Sequence, residues 1–199
     1  MNNTEKKALV IVDMIRGFIM EGKMASPSVY KIVPDIVKQV ESYIKNGYTI
    51  IAFYDCHDTD CEEFKSYPAH CVRGSRECEL VPELKKFEKH MIMIPKNTTN
   101  GFNTPEFREI AKRANFEEVK VTGCLTDICV EQFATNFARY NKLNGKQTKI
   151  VVPKNAVATF NAPNHNEKIE QAKSLNRMTA LGITIKDEKY FGENDGKIC

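Results

Sequence analysis

Short apolar runs alternate along this chain with segments whose apolar residues recur every third or fourth position. The runs Ala8–Asp13, Tyr48–Tyr54, Met91–Pro95, Glu118–Gly123, Thr148–Val152 and Ile183–Lys186 predict six strands. Several are near-continuous in Val and Ile, the pattern of strands covered on both faces. Between the first two, a helix is expected over about Val29–Lys45. Ile32, Ile36, Val40 and Ile44 form its apolar stripe, and Gly47 stands past its end as a cap. Pro34 falls in its first turns, where proline is tolerated better than deeper in. A short helix is expected at Glu79–Phe87, and another from Thr104 with Pro105 at its first position. Two more run over Asp127–Lys142 and Asn164–Leu181, the last stopped by Gly182.

This alternation predicts an α/β fold: a single-domain, doubly wound sandwich with a mostly parallel six-stranded sheet flanked by helices. No repeat or linker divides the 199 residues, so one domain is expected over 1–199. The longest irregular stretch, Cys56–Cys78, is too long for an idle connection and points to function. The polar tail Glu188–Cys199 is expected to be loosely held.

Charge changes the picture little. The net charge is +3 and no basic run is interleaved with aromatics, which argues against nucleic-acid binding. After Lys6-Lys7 the apolar stretch stops at Asp13, too short for a signal sequence, and no run approaches bilayer length. A cytoplasmic protein with no membrane partner is the expectation. The seven cysteines are odd in number and none fall in Cys-x-x-Cys spacing, so reduced thiols are expected rather than a disulfide framework or zinc ribbon.

Candidate chemistry collects at strand ends. Thr126-Asp127-Ile128-Cys129-Val130-Glu131 lies between a strand-like and a helix-like run, which puts Cys129 at a strand-to-helix turn. Unpaired N–H groups and the helix dipole there favour a thiolate, a potential nucleophile. The competing reading is a small buried core residue. Asp13, Asp55 with His57, Lys96 and Cys129 follow four different strands. In a parallel sheet these ends share the edge where ligands bind. Asp13 could take the thiol proton, with Lys96 holding that carboxylate and stabilising charge. The plainer alternatives are a strand-end turn residue and a solvated lysine. A second group, Asp55-x-His57, Glu62-Glu63 and His70, can offer two oxygen and two nitrogen ligands to a divalent metal. Its alternative is polar surface on a long loop.

Taken together, these segments resemble the isochorismatase-like cysteine hydrolases, and within them the nicotinamidases. The likeness rests on Ala8–Met14 with Phe18, Asp55-Cys56-His57, Tyr67-Pro68-Ala69-His70-Cys71, Pro95-Lys96 with Phe102, and Gly123–Val130. The resemblance implies a triad of Asp13, Lys96 and Cys129. It implies metal ligation by Asp55, His57, Glu63 and His70, with Glu62 competing for the third place. Two neutral imidazoles and two carboxylates suit one borderline divalent ion, zinc ahead of iron or manganese. Phe18 and Tyr67 match aromatic positions flanking a substrate ring. The N–H groups of Leu125 and Cys129 match an oxyanion hole, and Cys124–Leu125 a cis peptide. The implied activity is hydrolysis of nicotinamide to nicotinate and ammonia through a thioester, with pyrazinamide a further substrate. Hydrolysis of an N-carbamoyl compound, and a non-catalytic redox-sensing role, remain the alternatives. A homo-oligomer acting on a small-molecule amide is expected.

Overall fold

Seven strands form one sheet in the computed structural model, which describes residues 6–187. They are β1 Lys7–Val12, β2 Thr49–Asp55, β3 Ile92–Lys96, β4 Glu118–Cys124, β5 Lys149–Pro153, β6 Val157–Ala158 and β7 Thr184–Lys186. The order is β3-β2-β1-β4-β5-β7, and every pairing is parallel. The six expected strands make this path, each within a residue or so of its expected bounds. The seventh, β6, is two residues long and leaves no readable pattern. It pairs with the end of β4 at Gly123 and Cys124, while β5 pairs with its beginning at Glu118–Lys120. The tail Glu188–Cys199 lies outside the described residues.

Alternate residues of each strand serve two cores. Val10, Val12, Phe53, Ile94 and Val121 pack with Phe107, Phe133, Phe137 and Met178. These last come from α5 Pro105–Arg113, α6 Glu131–Leu143 and α7 Glu167–Ala180. Leu9, Ile11, Ile50 and Ala52 pack with Val29, Ile36, Val40 and Leu84 on the other face. That face is covered by α1 Arg16–Ile19, α2 Pro27–Tyr30, α3 Val33–Lys45 and α4 Pro82–Lys85. Each fully buried Leu, Ile, Val or Phe contributes roughly 1.5–3 kcal/mol, so burial on both faces fixes the layer order.

Several helices depart from expectation. The helix expected over Val29–Lys45 is two, broken at Lys31 and Ile32. Pro34 has no N–H with which to carry a ladder back to Tyr30. The helix expected from Glu79 shrinks to α4, with Pro82 in its first turn. The helix expected from Asn164 begins at Glu167, because Asn166 caps the N–H groups of Lys168 and Ile169. The helix expected from Asp127 is a π-helical turn, Thr126–Val130, followed by α6.

The strand order reverses between β1 and β4, which opens the crevice where open α/β sheets bind ligands. Gly123 borders it with φ +112°, and a Cβ there would fall on the Val12 carbonyl. The long loop is anchored beside the crevice. His57 N–H donates to Cys71 O at 2.9 Å, and Arg73 N–H donates to His57 O at 2.8 Å.

Candidate active site

Asp13 follows β1 directly and turns away at φ +52°, a conformation aspartate tolerates better than most residues. Its N–H is bonded to Phe53 O at 3.0 Å. Lys96 ends β3 and stands in register with Asp55, the last residue of β2. This pairing carries the lysine into the crevice. Its Nζ lies 2.8 Å from Asp13 Oδ2 and donates to Asp55 Oδ1. Nζ is also 3.2 Å from Thr98 O and 3.8 Å from Cys129 Sγ. Exposure is 1% for Asp13, 2% for Lys96 and 4% for Cys129, so these charges interact with little solvent screening. The structure therefore brings the three sequence candidates together and adds a contact that sequence reasoning did not anticipate, Lys96 to Asp55.

Burial sets the protonation of this group. It pushes the Asp13 carboxyl up to about 7, even though the Lys96 ammonium pulls it back. Burial acts on Asp55 in the same sense, but Lys96, which both attracts and hydrogen-bonds the carboxylate, favours the charged form, and the carboxyl stays well below the usual range. Lys96, flanked by Asp13 and Asp55, keeps its proton despite burial. Burial pushes the Cys129 thiol well above its ordinary value, and Lys96 only partly offsets this. The expected resting thiolate is thus corrected. Desolvation inside a π turn, with Asp13 alongside, outweighs whatever the neighbouring backbone supplies, and the thiol is held neutral.

A second cluster adjoins the first through the same carboxylate. Asp55 Oδ2 lies 3.6 Å from His57 Nε2 and 3.7 Å from His70 Nε2. Ligand atoms of Asp55, His57, Glu63 and His70 all lie within 4.8 Å of one another. His70 Nδ1 donates to Pro68 O at 2.7 Å, which leaves its Nε2 lone pair facing inward. His57 Nε2 is buried and finds no hydrogen-bond partner among the described residues. Two imidazoles and two carboxylates converging on one point fit a dication, so the cluster can hold a divalent metal ion. Glu62, the competing carboxylate, points away and pairs with Lys65 at 2.6 Å on the surface.

Phe18 lies 5.6 Å from the His70 ring. Tyr67 is half-buried, and its phenol is raised by burial first and then by the negative charge of Glu63. Phe64, missed in the sequence, stands edge-on to His57 at 5.3 Å and to His70 at 5.6 Å. Its only signal was its place directly after Glu63. The Cys124–Leu125 peptide is cis. Leu125 O accepts from the N–H groups of Ile128 and Val130, each at 3.1 Å. Cys124 Sγ donates to Asp13 O at 3.1 Å, so its side chain supports the Asp13 turn. His165, also unanticipated, bonds Asp127 at 2.7 Å and stacks on Phe160 at 3.9 Å. Burial opposes the charge on His165, but Asp127 favours it more and raises the imidazole.

A doubly wound sheet with an acid, a lysine and a thiol gathered at its reversal point narrows the class, and comparison with known proteins completes it. A family model described as the Isochorismatase domain matches residues 7–185, and the chain belongs to that family of hydrolases. It is 31% identical to nicotinamidase 1 of Arabidopsis thaliana, over 84% of this chain and 75% of that one. Among solved structures, an N-carbamoylsarcosine amidase from Thermoplasma acidophilum superposes with a TM-score of 0.76 at 26% identity. That match covers 94% of this chain and 99% of the other. A pyrazinamidase of Pyrococcus horikoshii in complex with zinc has a TM-score of 0.74 at 23% identity, covering 92% and 99%, and shares the fold. No helix among the described residues is long and apolar enough to cross a membrane.

Proposed function

We propose that this protein hydrolyses the carboxamide of nicotinamide to nicotinate and ammonia. One observation carries the reading: a buried lysine 2.8 Å from Asp13 and 3.8 Å from Cys129, joined through Asp55 to a cluster of metal-type ligands. The likeness to a plant nicotinamidase supports the substrate.

Asp13 takes the Cys129 thiol proton as sulfur attacks the amide carbon. A carboxylate near 7 facing a neutral thiol suits this transfer at physiological pH. The N–H groups of Leu125 and Cys129 receive the oxyanion, a contribution usually worth about 3–4 kcal/mol in related chemistry. The proton passes from Asp13 to the leaving nitrogen, ammonia departs, and a thioester remains. Water adds to the thioester with Asp13 as base, releasing nicotinate and restoring the thiol. Lys96 stays charged throughout and holds Asp13 in place. Asp55, His57, Glu63 and His70 would hold the divalent ion, zinc ahead of iron or manganese on this donor set. When bound, the ion supplies a Lewis acid for the pyridine nitrogen. Phe18 and Tyr67 flank the ring.

Ammonia release from nicotinamide, pyrazinamide and benzamide tests the reading. Nicotinamide should be turned over and benzamide, which lacks the ring nitrogen, should be a far poorer substrate. Cys129→Ala should lose more than about 10³-fold in turnover while binding metal as before. Equal efficiency on benzamide, or an active Cys129→Ala, would overturn it. The similarity to an N-carbamoylsarcosine amidase favours one other substrate class, an N-carbamoyl amine. Such a group does not call on the imidazole cluster, so turnover of it that survives chelation would select that reading.

A further inference from the structure

The two imidazoles of the cluster are held from behind by different chemistry. His70 Nδ1 meets a backbone carbonyl, Pro68 O, at 2.7 Å. His57 Nδ1 meets a thiol, Cys61 Sγ, at 3.3 Å. A carbonyl can only accept, so the tautomer of His70 is fixed. A thiol can donate or accept, so the direction at His57 follows from its surroundings.

Two observations set that direction. Cys61 Sγ has a second neighbour, Asn97 O at 3.9 Å, which can only accept. The thiol proton therefore goes to Asn97 and leaves the sulfur lone pairs facing His57. The other arrangement, with S–H donating to Nδ1, would put the imidazole proton on Nε2. That nitrogen is fully buried and has no hydrogen-bond partner among the described residues, Asp55 Oδ2 being 3.6 Å away. A proton there would stand between the imidazole and Asp55, in the space a cation needs. The same nitrogen presented as a lone pair is what a cation requires.

We propose that Cys61 is the positioning residue of this metal cluster: its sulfur receives the Nδ1 proton of His57 and so turns the Nε2 lone pair toward Asp55, Glu63 and His70. The proposal rests on the metal-binding part of the function proposed above. Cys61 belongs to the long loop, and Asn97 directly follows Lys96. The hydrogen-bonded series His57, Cys61, Asn97 thereby links the metal-type ligands to the strand end that carries the lysine. Loss of the hydrogen-bond partner behind a ligating histidine typically lowers metal affinity by about 10- to 100-fold.

The test measures metal affinity and tautomer directly. Metal-free protein is titrated with Zn²⁺ against a chromophoric chelator and with Co²⁺ by its visible spectrum. Cys61→Val, which fills similar space and cannot accept, should weaken both ions by about 10- to 100-fold and alter the Co²⁺ spectrum. Cys61→Ser should recover most of the affinity. In the metal-free protein, long-range ¹H–¹⁵N spectra should show His57 protonated on Nδ1 in the parent and in Cys61→Ser, and shifted toward Nε2 in Cys61→Val. A purely steric role would spare the tautomer and would favour Val over Ser. His70→Ala separates the two readings. If it abolishes binding while Cys61→Val binds like the parent, the cluster stands and this proposal is overturned. If the parent takes up neither ion, both fall.

Discussion

Asp13 and Asp55 are two buried carboxylates against one ammonium, and their environments push them apart. Asp13 sits at about 7 and Asp55 far lower. Such a split is how one site keeps a base and a permanent anion side by side. It has a measurable consequence. On the proposed mechanism Asp13 must be ionised to accept the thiol proton, so kcat/KM for nicotinamide should fall about tenfold per pH unit below about 7. Lys96→Met should move this limb to higher pH, because the ammonium is what pulls the Asp13 carboxyl down. A flat profile from pH 5 to 8 would remove Asp13 as the base. Stability follows the same shifts with opposite signs. The folded Asp13 binds its proton more tightly than the ordinary 3.8, so its contribution is present at low pH and lost as pH rises from about 4 through about 7. The depressed Asp55 contributes above its ordinary value and loses that contribution as pH falls.

At the level of elements, the crevice depends on how closely β1 and β4 approach at their ends. Gly123 is the contact point, with φ +112° and the Val12 carbonyl where a side chain would begin. Gly123→Ala adds backbone strain and overpacking together, and should cost about 3–5 kcal/mol in a denaturant melt. A loss under 1 kcal/mol would mean that the two strands can separate freely. The glycine itself was visible in the sequence, but its role was not, because it depends on a partner strand more than a hundred residues away. The same divide runs through the other elements. Strands were legible because Val and Ile runs such as Leu9–Val12 reflect burial on two faces. The break before α3 was half-legible, since Pro34 was seen and its effect on the preceding turn was underweighted. The π turn carrying Cys129 left no pattern at all, because Thr126–Val130 would serve equally well in an α-helix. Lys96 was placed correctly at a strand end, but its bond to Asp55 arises from register, which a single strand does not encode. Glu62 and Glu63 could not be separated by spacing, and the 3-10 turn decided between them by sending one outward to Lys65.

Across the whole molecule, Asp55, His57, Glu63 and His70 tie the end of β2 to the long loop. An ion held there would bind the folded chain and not the unfolded one. At a thousandfold excess over its Kd it would add about 4 kcal/mol to stability. Chelation should therefore lower the melting temperature of the parent protein and leave His70→Ala unchanged, as followed by calorimetry. Equal melting with and without chelator in the parent would argue against an ion at this cluster.

The uneven depth of the thiols governs how the protein will meet electrophiles. Among the described residues, Cys56, Cys71, Cys124 and Cys129 are buried, whereas Cys61 and Cys78 are half-exposed. Among the described cysteines, a bulky aromatic disulfide reagent should label Cys61 first, Cys78 more slowly because burial raises its thiol to about 11, and Cys129 last, as peptide mapping by mass spectrometry would show. The number of fast-reacting thiols is then no count of catalytic centres. Inactivation that keeps pace with the fast phase would report damage behind His57 rather than capping of Cys129. An inhibitor screen built on thiol reactivity would for that reason select compounds for the loop before it found any for the crevice.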